Sequence, residues 1–103
     1  MTDSWLPMRY RDFYDVPRAI VVEWKGDDYF FDCLYDDEAG DYESEYTVYR
    51  LPGEVAHGLD IMSWTDLGHR GERIGRVPVS ALAFDPTRRE SLNATVFRNL
   101  KVA

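Results

Sequence analysis

The chain has one cysteine, five prolines and no apolar run longer than the four residues Ala19 to Val22. A single Cys33 cannot form an internal bridge, so the fold has to stand on its apolar core, and the thiol suits a reducing compartment. A four-residue run is far too short to span a bilayer as a helix. Met1 to Pro7 has neither a basic leader nor an apolar segment of secretory length, so the sequence reads as cytoplasmic. Basic residues are also scarce, twelve against nineteen acids, for a net charge of −7. No Gly-x-Ser-x-Gly elbow, phosphate loop or dinucleotide fingerprint occurs, and Ser63, Ser80 and Ser91 lie in no activating context. The sequence therefore assigns no catalytic residue and no cofactor.

What is present is a globular composition, 45% hydrophobic and 15% aromatic over 103 residues. That length corresponds to one domain able to bury a core without a disulfide or structural metal. The organising stretch runs from Arg18 to Leu51. Along Ala19 to Lys25, Ile20, Val22 and Trp24 alternate with Ala19, Val21 and Glu23, the period of two that a strand requires. Gly26-Asp27-Asp28 signals a hairpin turn. Tyr29 to Tyr35 carries apolar groups on both faces, which places that strand in the middle of its sheet. Asp36 to Asp41 is an acidic loop, and Tyr42 to Leu51 is a third strand that Pro52-Gly53 ends.

Outside this meander the signals are weaker. Tyr10 to Val16 reads as a short strand or an arm across the sheet, after a frayed start. Ile61 to Leu67 reads as a fourth short strand or a turn of helix anchored by Trp64, and Gly68 to Arg73 as a mobile polar loop. Asp85 to Leu92 has an N-cap residue followed by proline, the pattern of a helical turn that Asn93 stops. Ala94 to Val102 reads as a last strand anchored by Phe97. The fold class is mainly β: a small antiparallel sheet or an SH3-like, partly open barrel with a short helical turn near the C-terminus, α+β being the alternative. Gly75, Val77, Pro78 and Leu82 resemble the final strand and helical turn of SH3-like barrels. That resemblance bears on fold and transfers no binding residue, because the aromatic peptide groove of an SH3 domain is not found.

Charge is unevenly placed. Between residues 19 and 54, eleven acids accompany only Lys25 and Arg50, whereas from residue 55 onward seven bases outnumber five acids. An acidic meander repels phosphate backbones and anionic membranes, so neither nucleic acid nor membrane is an expected partner. A basic protein is. Asp27, Asp28, Asp36, Asp37, Glu38, Asp41, Glu43 and Glu45 would steer it by long-range attraction, and Tyr42, Tyr46 and Tyr49 would supply contact area. The function expected is a non-enzymatic protein-interaction domain. Short, acidic and lacking a catalytic motif, the chain resembles in general character the immunity proteins that neutralise bacterial toxins.

Two other readings follow from different residues. A small enzyme or ligand-binding protein would form its pocket near Asp32, His57, His69 and Trp64, with Asp32 raised in pKa if buried unless Arg18 or Arg50 pairs with it. A homo-oligomer through edge strands would show a concentration-dependent mass. No metal site is expected: Gly58 breaks the helix that His57 and Asp60 would need, and the acidic loop lacks EF-hand spacing.

Overall fold

Side-chain alternation along the strand Val16–Trp24 sends Ile20 and Val22 into one buried cluster and Ala19 and Val21 into another. A strand with both faces covered belongs inside a layered fold, and the remaining elements supply the two covers. The structure, a computed structural model, describes residues 5–14, 16–58, 64–82, 86–88 and 90–102; of Tyr14, Thr65, Asp66 and Arg88 it describes the backbone alone.

The strands are β1 (Trp5–Tyr14), β2 (Val16–Trp24), β3 (Asp27–Asp32), β4 (Tyr35–Asp36), β5 (Asp41–Tyr42), β6 (Glu45–Leu51), β7 (Glu72–Pro78), β8 (Ser91–Asn93) and β9 (Lys101–Val102). Seven of them form one antiparallel sheet in the order β8-β1-β2-β3-β6-β7-β9, while β4 and β5 make a separate hairpin. β3, apolar on both sides, is the central strand. The fold is mainly β, and its helical parts are short: α1 (Gly53–Ala56) and 3-10 segments at Trp64–Arg70, Val79–Leu82, Pro86–Arg88 and Ala94–Asn99. Among the described residues no helix is long and apolar enough to cross a membrane.

The sheet is curled. β8 and β9 lie on its opposite edges, yet only the 3-10 segment Ala94–Asn99 and Leu100 separate them in the chain. Six residues at a 3-10 rise and the flanking steps reach about 20 Å, whereas the edges of a flat seven-stranded sheet stand about 29 Å apart. The edges must therefore approach, giving a partly open barrel with Ala94–Asn99 across its mouth. Phe97 fills that mouth. Its ring stacks on Trp24 at 4.0 Å and 7° and meets Tyr29 and Phe31 edge-on at 5.2 and 5.5 Å. Phe31, Tyr46, Val48, Val77 and Leu92 line the interior behind it. On the outer face, Val55 of α1 with Trp64 and Leu67 cover Ala19, Val21, Phe30 and Leu51.

Several local expectations need correcting. The β2–β3 turn is Lys25-Gly26, with φ of 52° and 85°, and Trp24 pairs with Asp27 across it. Two positive φ values are the type I′ geometry that matches strand twist, so Asp27 and Asp28 belong to β3 rather than to the turn. Residues 5 to 14 are a full strand, and residues 1–4 lie outside the described residues. The segment read as a mobile loop is the end of a 3-10 turn and the start of β7, which pairs with β6 from Arg50↔Glu72 onward. Ile61–Ser63 and the cap residue Asp85 lie outside the described residues. Asn93 does not stop a helix but starts one: its side chain accepts from the Thr95 amide at 3.0 Å. Of the expected last strand, Ala94–Asn99 is 3-10, with Phe97 as its anchor, and Lys101–Val102 is the strand β9.

Candidate functional site

β3 leaves the sheet at Asp32, and the chain passes through Cys33 and Leu34 into the β4–β5 hairpin. The hairpin is a built object rather than a slack loop. Asp36 accepts at Oδ1 from the amides of Glu38 (3.0 Å) and Ala39 (3.3 Å), its carbonyl accepts from Gly40 (2.9 Å), and Gly40 takes the left-handed φ of 69°. Such side-chain-to-backbone bonds define an Asx turn. Tyr35 and Tyr42, opposite each other in register, meet edge-to-face at 5.2 Å. The Cys33 amide, donating to the Arg18 carbonyl (2.7 Å), ties the hairpin to the body, and the Glu43 amide, donating to the Leu34 carbonyl (2.8 Å), closes its base.

Between hairpin and sheet lies a groove of about 410 Å³. Arg11 and Asp12 come from β1, Arg18 and Ala19 from β2, Asp32 from β3, Cys33, Leu34, Tyr35 and Tyr42 from the hairpin region, and Trp64 from the outer cover. Two guanidiniums lie on rings, Arg11 over Trp64 at 4.7 Å and Arg18 over Tyr42 at 4.4 Å. Asp12 sits at φ 58°, a left-handed conformation that interrupts β1 between the pairs Arg11↔Ala19 and Phe13↔Pro17. Non-glycine residues reach it at a cost and aspartate among the more readily.

Asp32 is the chemically distinctive group. Burial raises its pKa from 3.8 to about 6, and the charges of Asp12 and Glu43 push in the same direction. Neither Arg50 nor Arg18 forms an ion pair with it: Arg50 stands opposite Tyr29, three residues up β3, and bridges to Glu72 at 3.0 Å, while Arg18 donates to Cys33 Sγ at 3.5 Å. Cys33 is buried as expected, but in a polar setting, its thiol donating to the Glu43 carbonyl at 3.2 Å. Burial pushes that thiol up, outweighing Arg18, so at neutral pH it stays protonated and weakly nucleophilic.

The acidic residues do not form one face. Asp36, Asp37, Glu38 and Asp41 are exposed on the hairpin, with Glu43 half-buried beside it. Asp27 and Asp28 lie at the other end of β3, roughly 14 to 17 Å from Asp32 by strand rise. Asp28 lines a second groove of about 320 Å³ with Arg9, Glu23 and His57. Glu45 is matched by Arg76 at 3.6 Å and Lys101 at 3.7 Å.

The tyrosines need a larger correction. Tyr46, expected as contact surface, is fully buried inside the barrel, where its hydroxyl donates to the Pro17 carbonyl at 2.7 Å. Tyr49 is half-buried, stacked on Phe30, with Gly68 against its ring. Tyr42 is half-buried in the groove. The apolar groups exposed here are Leu34 (50%) and Tyr35 (53%), the last two residues of the expected central strand, which ends instead at Asp32. Their position directly before the three acids Asp36, Asp37 and Glu38 is the available signal.

The pocket expected from Asp32, His57, His69 and Trp64 is half assembled. Asp32 and Trp64 share the groove; His57 follows α1 at the far end of the sheet, because Leu51, just before α1, pairs with Asp28; and His69 is exposed on the 3-10 turn. Among the described residues no group of three or more His, Cys, Asp or Glu is placed to hold a metal ion. No family model, no curated protein and no solved structure matches this chain.

Proposed function

We propose that this chain is a non-enzymatic interaction domain that docks a basic partner protein through the β4–β5 hairpin. The observation that carries the reading is the juxtaposition, on one rigid hairpin, of exposed Leu34 and Tyr35 with Asp36, Asp37, Glu38 and Asp41. Carboxylates on a projecting tip attract a basic surface from beyond contact range and set orientation. An aromatic and a leucine at the base give that encounter an anchor to bury, the arrangement in which a few central groups carry binding and a polar rim surrounds them. The acids of the β2–β3 end stand apart and play no part in this contact. A toxin-like protein is the class of partner that the general likeness to immunity proteins suggests.

The test is capture of partners from native lysate on the immobilised chain, washed at graded salt, beside the triple variant Tyr35→Ala, Asp37→Asn, Glu38→Gln. None of the three bonds that hold the hairpin turn involves a side chain changed there. A basic protein should be retained at low salt, released as salt rises, and missed by the variant. Recovery of no basic protein at low salt, or equal recovery by the variant, refutes the reading.

A further inference from the structure

The groove beside the hairpin shares Leu34 and Tyr35 with it, so hairpin and groove are one continuous surface. About 410 Å³ is near the lower end of the range that holds a small organic molecule, and it accommodates one large side chain. Three rings line it. Trp64 and Tyr42 each carry a guanidinium of this chain on the face, Arg11 at 4.7 Å and Arg18 at 4.4 Å. Tyr35 is half exposed, meets Tyr42 edge-on, and carries no cation among the described residues. The two internal arginines are offset in charge by Asp12 and Asp32, which leaves the field at the mouth to Asp36, Asp37, Glu38, Asp41 and Glu43. That field is negative. Asp32 itself has no hydrogen-bond or ion-pair partner among the described residues, and none of its side-chain oxygens is a sealed, unsatisfied atom, so they face the water of the groove.

We propose that this groove seats the anchor residue of the basic partner, an arginine whose guanidinium lies on the Tyr35 ring and pairs with the Asp32 carboxylate. The proposal rests on the docking reading above and specifies it. Arginine fits better than lysine, because a flat guanidinium both stacks on an aromatic face and presents a fork of donors to a carboxylate. It repeats the chemistry the groove already uses twice. Binding also couples to protons: with Asp32 titrating near 6 under the influence of Asp12 and Glu43, its charged fraction falls about tenfold between pH 7 and pH 5, and docking weakens with it.

The experiment is an amide and indole NMR titration of the labelled chain with blocked hexa-arginine, repeated with hexa-lysine. Saturable shifts at the Trp64 indole and the Leu34 and Tyr35 amides are expected, weaker with hexa-lysine. Asp32→Asn should loosen the arginine probe about tenfold at pH 7 and abolish most of the difference between pH 7 and pH 5. Tyr35→Leu, which leaves every charge in place, should erase the preference for arginine over lysine. Shifts confined to residues 36–41 and unchanged in Asp32→Asn overturn the groove proposal while the hairpin reading stands. Shifts nowhere overturn both.

Discussion

Replacing Asp32 with asparagine should make the protein more stable at neutral pH and leave it unchanged in acid. A carboxyl that binds its proton more tightly in the folded chain than in the unfolded one stabilises the fold fully below its unfolded pKa, and that stability is lost as pH rises through the folded value. For Asp32 the window runs from 3.8 to about 6. At 1.36 kcal/mol per pH unit the interval is worth roughly 3 kcal/mol. Part of the carboxyl is wet, and solvent screening cuts this to about 1–2 kcal/mol. Asparagine keeps the shape and removes the charge. Urea denaturation at pH 4, 5, 6 and 7 should give coincident midpoints for the two proteins at pH 4, and a variant midpoint higher by about 1 M at pH 7 for a slope of about 1.5 kcal/mol/M. A variant less stable at pH 7, or a gap that does not change with pH, would refute the account of Asp32 as a charge held at the cost of the fold. The same substitution is expected to weaken arginine docking, so one residue carries stability and binding in opposite directions.

Phe97→Ala removes the ring that fills the barrel mouth and should cost about 3–5 kcal/mol, with the lost stacking on Trp24 placing it toward the upper figure; equilibrium denaturation reads it directly. Tyr46→Phe deletes the hydroxyl that donates to the Pro17 carbonyl and should cost about 1–3 kcal/mol in the same assay, the penalty of a buried acceptor left without its donor. At Gly75 an added Cβ would run into the Lys101 carbonyl, so Gly75→Ala should lift β9 from β7. Hydrogen exchange should then speed at the Val102 amide while Phe31 and Val48 in the core keep their protection.

Much of the sheet could be read in advance, because β2, β3 and β6 carry apolar residues on alternating faces and both faces are covered. The register itself, which sets Phe31 opposite Val48, does not follow from which residues share a face, since Tyr46 lies on the same face as Val48. β1 has the same alternation, Leu6, Met8 and Tyr10 packing on the interior and Arg9 and Arg11 pointing out, but its charges masked it. β7 is visible from Gly75 to Pro78 as the stretch that resembles a barrel's final strand, but its start at Glu72 is masked by the loop-like run Gly68 to Arg73. Gly75 is there for the close approach of β9, and Gly68 and Gly71 for contact with Tyr49, so spacing that looked like loop punctuation is packing. The site was less legible. Tyr35 and Tyr46 have the same chemistry and similar acidic neighbours; one is exposed and the other buried because Tyr46 shares its strand face with Val48, while Tyr35 lies beyond the end of β3. Whether Asp32 meets an arginine depends on register, and register places Arg50 opposite Tyr29.

The pairing of Trp5 with Asn93 makes closure of the barrel wait until β8 has been synthesised. While the ribosome is still adding residues 52 to 90, the β2–β3–β6 ribbon can assemble, but the outer edge of β1 has no neighbour at Trp5–Pro7 and the interior is open to water. Unshielded backbone at a strand edge recruits other strands. A chain halted before Ser91 would therefore be a target for chaperones and proteases, and the arrival of β8 decides whether the newborn barrel is sealed or sticky.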